Sequence, residues 1–248
     1  MSTPITLEQF RKDRQERLDK PVISHKQILA DIQMDQDVKS KYFYNFEFMG
    51  VPVIQYPNDL IQIQEIIWNT KPSVIIETGL AWGGLHLFMA NCLNMLKWEN
   101  ERKRIVLSIE KKVLEHVRAN IYDRIFEMGK VVSIIDEMSS LDYTGSHYIS
   151  KDTVMVVLDS NHTKEHVLKE MEIYGKLVSV GCYMVVCDTF VENRDPELYL
   201  NHECKPGNSP FDAVHEFLKT NDNFVIDTEI DRKLLISSNY NGYLKRVK

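Results

Sequence analysis

The chain has 248 residues, of which 44% are hydrophobic, and this is enough to bury a full core in one α/β domain with additions. Its formal net charge of -6 argues against a general nucleic-acid-binding protein. The sequence shows no apolar stretch typical of a signal peptide or a membrane span, and its four cysteines have no C-x-x-C spacing. We therefore expect a cytoplasmic protein with reduced thiols and no membrane partner.

Residues 1–58 differ in pattern from the rest of the chain. Their charged and amphipathic stretches predict helices at Leu7–Leu18 and Ser24–Val38. An aromatic cluster follows, made of Tyr42, Phe43, Tyr44, Phe46 and Phe48. We expect a helical arm that lies against the main domain or a neighbouring subunit of a homo-oligomer, and that ends in an aromatic cover over a pocket. Simple packing is the alternative, because clustered aromatic residues usually serve cores.

From residue 59 to residue 248 the pattern alternates between helix and buried strand, as in a doubly wound sheet. The predicted helices are Asp59–Asn69, Leu85–Trp98, Val113–Met128, Lys164–Val178 and Ser209–Thr220. The predicted parallel strands are Ser73–Glu77, Arg104–Glu110, Lys130–Ile135, Thr153–Asp159 and Gly181–Asp188. Phe224–Thr228 and Leu234–Ser237, on either side of a charged turn at Asp231, predict a closing antiparallel hairpin. This succession predicts an α/β Rossmann-like class I methyltransferase fold with a seven-stranded, mostly parallel sheet.

The first of these strands runs into the loop E-T-G-L-A-W-G-G, which begins at Glu77. Its glycines permit a tight turn and let backbone N–H groups approach a ligand closely. The spacing E-x-G-x-x-x-G differs from the G-x-G-x-x-G of dinucleotide sites and suits a cofactor with an amino-acid end. We therefore predict that S-adenosylmethionine is bound by Glu77, Gly79, Ala81 and Gly83.

An acidic residue stands at or just past the end of each parallel strand. These residues are Glu77, Glu110, Asp136, Asp159 and Asp188. Ligands of open α/β sheets bind at the carboxyl ends of the strands, and clustered carboxylates repel one another unless a ligand or cation lies between them. Ordinary helix N-caps are the alternative. We predict that Glu110 binds the cofactor ribose and that Asp136, with Ser139, faces the adenine.

The last two acids of this set predict a metal site. Asp159 and Asp188 should lie on adjacent strands, where two carboxylates can hold a hard cation such as Mg²⁺. A cation lowers the pKa of a substrate hydroxyl, and His162 is the predicted proton acceptor. A surface role is the alternative for His162. The spacing D-x-x-H-x-x-x-H, completed by His166, leaves a zinc site open, although the glutamate of H-E-x-x-H is not at its offset.

Several motifs occur in a defined order along the chain. They are Tyr44, Asn45 and Phe46; Gly50, Pro52, Gln55 and Pro57; Lys71 and Pro72; I-I-E-T-G-x-x-x-G-G; V-L-D-S-N-H-T-x-x-H-V-L at 157–168; and Gly242, Tyr243 and Leu244. Together they resemble the cephalosporin hydroxylase/rhamnosyl O-methyltransferase family over roughly residues 40–248. The resemblance implies magnesium-assisted O-methylation, with metal-binding acids at Asp159 and at positions 187 and 188. Cys187 departs from this pattern, because a thiol is a poor ligand for magnesium.

The sequence thus predicts an S-adenosylmethionine-dependent O-methyltransferase that acts on a hydroxyl of a small molecule or sugar, in polysaccharide or secondary-metabolite biosynthesis. Asp159 and His162 are its predicted catalytic residues. Two other classes stay open. A non-catalytic cofactor-binding or assembly protein would agree with Cys187, and a nucleotide-dependent oxidoreductase would use the same strand and loop.

Overall fold

A computed structural model describes residues 6–20, 24–96, 103–143 except 116, 120 and 122–131, and 153–248. Its helices are α1 (Leu7–Leu18), α2 (Ser24–Ser40), α3 (Pro57–Thr70), α4 (Gly84–Met95), α5 (Lys164–Tyr174), α6 (Pro210–Thr220) and α7 (Thr228–Leu234). Its strands are β1 (Glu47–Phe48), β2 (Val51–Pro52), β3 (Val74–Thr78), β4 (Ile105–Ile109), β5 (Val132–Ile135), β6 (Val154–Leu158), β7 (Tyr183–Val186), β8 (Phe224–Ile226) and β9 (Tyr243–Arg246).

Across the described residues the main sheet has seven strands in the order β5-β4-β3-β6-β7-β9-β8. The strands from β5 to β7 pair in parallel, and β9 runs antiparallel to both β7 and β8. Chain order reverses between β3 and β6, which is the point where open α/β sheets bind ligands. Both strands are buried along their whole length, as expected for a sheet covered on two faces. The predicted fold class is confirmed.

The prediction of a second hairpin strand near the C-terminus is wrong. Leu234–Ser237 is not a strand; instead, α7 covers the predicted charged turn and ends at Leu234. Asp227 begins this helix, since its carboxylate accepts a hydrogen bond from the Glu229 N–H at 3.2 Å. The antiparallel partner of β8 is β9, with Phe224 opposite Arg246.

The predicted helix Val113–Met128 is described only in part. Residues 115, 117–119 and 121 are helical, residues 113 and 114 are not, and the remainder of the span lies outside the described residues. The same applies to residues 97 and 98 of the second predicted helix and to residues 130 and 131 of the third strand. The other predicted helices and parallel strands are confirmed with boundaries moved by a few residues.

The N-terminal arm packs directly on the segment that follows β7. Arg194 is buried there and donates hydrogen bonds to Asp31 Oδ1 at 2.9 Å and Asp35 Oδ1 at 3.2 Å on α2. Met34 of α2 packs against Phe190 in a small apolar cluster. The division into an arm at 1–58 and a domain at 59–248 stays a prediction. Within the described part of the chain, no helix has the length and hydropathy of a membrane span.

A buried carboxylate joins the start of α3 to the chain around β9. Asp59 is fully buried and accepts hydrogen bonds from the Ser238 N–H at 2.8 Å, the Ser238 hydroxyl at 2.9 Å and the Tyr243 hydroxyl at 2.7 Å, with Ser237 as a further donor. Burial raises the pKa of Asp59, and these hydrogen bonds oppose the rise. The network fixes the loop that precedes β9, which borders the site described below.

Removing this carboxylate should destabilise the fold. We expect Asp59→Ala to lower the free energy of unfolding by about 2–4 kcal/mol in urea titrations, because several buried donors lose their acceptor. Asp222→Ala is the control, since Asp222 is exposed and pairs only with the exposed Lys248 among the described residues. It should leave the urea midpoint close to that of the wild type. Equal midpoint shifts in the two variants would contradict the structural role of Asp59.

Candidate active site

The glycine loop after β3 lies directly against the end of β6. Gly79 has φ +81°, and a Cβ atom there would lie 2.2 Å from the carbonyl oxygen of Asp159. Gly79 N–H also donates to the Ile109 carbonyl of β4 at 3.0 Å. Gly83 has φ +83° and its Cβ would meet the side chain of Ile121. Only glycine fits these two positions, so the loop backbone is open to close approach by a ligand.

Glu77 is held beneath this loop. It is almost fully buried and accepts a hydrogen bond from the Ser108 hydroxyl of β4. The Nδ1 atom of His86, at the start of α4, lies 3.3 Å from the same carboxylate oxygen. Glu77 also borders a small space under the loop that is lined by Gly79 and Trp82. Its predicted contact with a cofactor stays a prediction.

A cavity of about 560 Å³ opens beside the loop at the ends of β3, β4 and β6, and we call it the cofactor-side cavity. Its walls include Gly79, Ala81, Glu110, Ser139 and Asp159. Glu110 accepts hydrogen bonds from the backbone N–H groups of Leu80 at 2.9 Å and Lys112 at 3.2 Å. Ser139 caps the short helix that follows β5. The structure therefore brings most of the predicted cofactor-binding residues to one cavity.

Asp136 has a different set of partners. Its carboxylate accepts hydrogen bonds from the backbone N–H groups of Val113 at 2.8 Å and Glu137 at 2.9 Å, and it pairs with Arg118. The bond from Val113, with the others, lowers the pKa of Asp136. Asp136 thus stabilises the turn after β4. Its predicted role at the adenine stays a prediction.

A second cavity, of about 250 Å³, lies on the other side of the Asp159 carboxylate, and we call it the acceptor-side cavity. Phe43, Tyr44 and Tyr56 form an aromatic wall. Of the predicted aromatic cluster, Phe43 and Tyr44 line this cavity, whereas Phe46 and Phe48 pack against the main core, and the cover stays a prediction. The opposite residues include Asp159, His162 and Asp188, together with Phe190 and Ser238. Asp159, Ala81 and Ser160 border both cavities. The two cavities therefore meet at Asp159.

Asp159, His162 and Asp188 form a candidate metal centre. Each offers one ligand atom, and these atoms lie within 4.8 Å of one another. His162 Nε2 is 3.9 Å from Asp159 Oδ1 and 3.5 Å from Asp188 Oδ2. Gln55 Nε2 donates to the other oxygen of Asp159 at 3.0 Å. Two carboxylates with one imidazole fit a divalent cation such as Mg²⁺ or Mn²⁺.

The electrostatic environment disfavours two free carboxylates in this cluster. Burial raises the pKa of Asp159 to about 7; His162 lowers it, whereas Asp188 and Glu77 add to the rise. Burial also raises the pKa of Asp188, and His162 opposes that shift. A bound cation would stabilise both charges.

Cys187 and His166 do not join this cluster. Cys187 is fully buried in the main core, and burial raises the pKa of its thiol. His162, and not residue 187, supplies the third candidate ligand. The zinc spacing would place His162 and His166 on one face of a helix, but α5 begins at Lys164 and His162 precedes it. His166 Nε2 instead lies 3.2 Å from the hydroxyls of Ser140 and Ser160.

Several residues of the acceptor-side cavity have no role predicted from the sequence, among them Gln55, Tyr56, Phe190 and Ser238. Gln55 donates a hydrogen bond to the Asp159 carboxylate. It is a polar residue within the apolar run from Val53 to Tyr56, and this pattern indicates a buried hydrogen bond. Phe190 and Ser238 arrive from segments without a regular period, so no local signal identifies them.

The geometry agrees with comparisons to known proteins. The family model Rhamnosyl O-methyltransferase/CmcI matches residues 40–247. The chain belongs to this family. Proteins named rhamnosyl O-methyltransferase are similar to it: that of Mycobacterium tuberculosis is 26% identical over 206 residues, covering 80% of this chain and 77% of the relative. That of Mycobacterium leprae is 26% identical over 211 residues, covering 83% and 87%.

Solved structures show the same fold as this member of the rhamnosyl O-methyltransferase/CmcI family. A structure named for CmcI with SAH has a TM-score of 0.54 and 15% identity, and covers 83% of this chain and 84% of its own. One named for CmcI with Mg and SAM has a TM-score of 0.53 and 15% identity, with coverages of 83% and 78%. A putative caffeoyl-CoA O-methyltransferase from Staphylococcus aureus has a TM-score of 0.53 and 17% identity, with coverages of 82% and 92%. The predicted family and fold are confirmed.

Cation binding should depend on pH. The pKa of Asp159 is about 7, so below this pH the carboxyl is protonated and cannot ligate. We expect the affinity for Mn²⁺, measured by titration calorimetry, to fall about tenfold per pH unit below pH 7. Asp159→Asn should abolish binding at pH 8, and the surface variant Asp222→Asn should not. Equal Mn²⁺ affinity at pH 6 and pH 8 would contradict the raised pKa of Asp159, and unchanged Mn²⁺ affinity in Asp159→Asn would rule out Asp159 as a ligand.

Proposed function

We propose that this chain transfers the methyl group of S-adenosylmethionine to a hydroxyl of a sugar. The observation that carries the proposal is the meeting of the cofactor-side and acceptor-side cavities at Asp159, inside the candidate metal centre. Family membership supports it, because the curated relatives are named rhamnosyl O-methyltransferases. The S-adenosylmethionine bound in a CmcI structure supports the choice of cofactor.

On the cofactor side, the glycine loop offers its backbone to the amino-acid end of the cofactor, next to Glu77. Glu110 binds the ribose hydroxyls with the lone pairs that its two backbone partners leave free. Ser139 borders the adenine end of the cofactor-side cavity. When bound, S-adenosylmethionine supplies a methyl group that its positive sulfur already activates, so alignment supplies most of the acceleration.

On the acceptor side, the rings of Phe43 and Tyr44 stack on the sugar ring, and the buried Tyr56 supports them from behind. Asp159 and Asp188 hold the cation, which supplies charge that lowers the pKa of the acceptor hydroxyl. His162 accepts the hydroxyl proton as the oxygen–carbon bond forms and the carbon–sulfur bond breaks. The products are the methyl ether and S-adenosylhomocysteine, and the proton passes from His162 to solvent.

The Nε2 atom of His162 cannot ligate a cation and accept a proton at the same time. Its Nε2 lies close to both carboxylates, where it can ligate a cation or accept a proton. We assign it the proton, because two carboxylates and water molecules complete a magnesium site without it.

We further propose that the chain self-associates, has a cytoplasmic location and has no nucleic-acid partner. Exposed Ile28, Leu29 and Ile32 on α2 support self-association through the arm. The four free thiols support a cytoplasmic location, and the negative charge supports the absence of a nucleic-acid partner. Burial of Cys187 in the core removes the main argument for a non-catalytic protein.

The proposed function is tested by calorimetry and by turnover. We expect S-adenosylmethionine to bind in preference to NAD, and methyl α-L-rhamnoside with Mg²⁺ to be methylated. Asp159→Ala should retain cofactor binding and lose at least about 100-fold in kcat, because the cation and the hydroxyl lose their anchor. Binding of NAD alone would overturn the proposal in favour of an oxidoreductase. Unchanged kcat in Asp159→Ala would remove Asp159 from the mechanism.

The role of His162 is tested separately. His162→Gln should keep the Mn²⁺ affinity within about threefold and lower kcat by on the order of 100-fold, since it removes the proton acceptor and not a ligand. His202→Gln is the control, because His202 is exposed and lines neither the cofactor-side nor the acceptor-side cavity. Loss of Mn²⁺ binding in His162→Gln would identify His162 as a ligand instead.

A further inference from the structure

A further cavity, of about 380 Å³, adjoins the acceptor-side cavity, and we call it the outer cavity. Its walls come from α2, from the segment after β7 and from the chain between α7 and β9. Phe190 lines both cavities. Ser237 lines the outer cavity, and its neighbour Ser238 lines the acceptor-side cavity. The two cavities therefore share a wall.

The outer cavity carries the groups that bind sugars. Tyr240, which is 43% exposed, offers an aromatic face, and Gln27 and Asn193 offer amide side chains. Phe190 adds a mostly buried apolar surface between the two cavities. The Oδ1 atom of Asp231 accepts a hydrogen bond from the Asn241 N–H at 3.0 Å, whereas its buried Oδ2 has no partner among the described residues. A buried acceptor without a donor indicates a missing ligand or water.

The charges around the outer cavity favour a neutral ligand. Arg194 is the only cation among the described lining residues, and its guanidinium is buried and bound to Asp31 and Asp35 of α2. Asp31 and Asp231 contribute negative charge to the walls. Phosphates and sugar nucleotides are bound best by cations that are not already neutralised, so these walls disfavour them. A hydroxyl-rich neutral group fits better.

We propose that the outer cavity binds the second sugar unit of the acceptor, so that the substrate is a disaccharide or a longer neutral glycoside. This inference rests on the proposed function, because it places the methylated unit in the acceptor-side cavity and the glycosidic bond beside Phe190. Gln27, Asp31 and Met34 belong to α2, which precedes the span matched by the family model. This wall is therefore supplied by the arm of this chain and not by the matched family segment.

The test compares methyl α-L-rhamnoside with the methyl glycoside of a rhamnose disaccharide as acceptors. We expect kcat/KM of the wild type to be at least about tenfold higher for the disaccharide. One aromatic stacking contact with added hydrogen bonds contributes a binding free energy that corresponds to this ratio. Tyr240→Ala should remove most of this advantage and leave kcat/KM for the monosaccharide unchanged. Tyr240→Phe, which keeps the ring, should retain the advantage. Direct titration calorimetry should show the same order in the Kd values of the two glycosides.

The outcomes distinguish this inference from the proposed function. Equal kcat/KM for the two glycosides, or an equal loss for both in Tyr240→Ala, would overturn the inference and leave sugar methylation intact. Lack of turnover and of binding with either glycoside would overturn the proposed function, and the inference with it.

Discussion

The close contact between the glycine loop and the end of β6 governs the geometry of the whole site. Because Gly79 has no side chain, its backbone rests against the Asp159 carbonyl, and the parallel pairing of β3 with β6 maintains that contact. The Asp159 side chain is thereby fixed at the border of two cavities. Any larger residue at position 79 would separate the loop from the acid, and with it the cofactor-side cavity from the acceptor-side cavity.

The same arrangement concentrates negative charge. Asp159 and Asp188 have raised pKa values because burial disfavours their charged forms, with His162 as the opposing partner. Structural stability alone does not account for such a pair. A divalent cation would stabilise the ionised forms of both carboxylates. The centre is therefore suited to hold a hydroxyl ligand for methyl transfer. Gln55 orients one carboxylate oxygen and leaves the other for the cation.

The sequence predicts the sheet well because each buried strand is a short β-branched run that ends in an acid. The prediction from the sequence fails at the C-terminal hairpin, where the chain forms the short helix α7. This helix depends on the Asp227 cap and on the buried Ile230, and not on a long periodic pattern. The acids at the strand ends follow from topology, and they meet as predicted at Asp159 and Asp188. The positions of Phe190 and Ser238 at the cavity and the burial of Cys187 depend on tertiary packing, which no local sequence pattern indicates.

The N-terminal arm, most of which precedes the matched family segment, packs against the residues around the site. Arg194 fastens α2 over the segment that carries Phe190, so residues before position 40 contribute to the surroundings of the acceptor. The central claim is that a cation at the sheet edge joins cofactor to acceptor. A crystal grown with S-adenosylhomocysteine and Mn²⁺ and measured at the manganese edge tests it most directly. The account predicts an anomalous peak between Asp159 and Asp188 beside the bound cofactor; bound cofactor with no peak at these residues would contradict it.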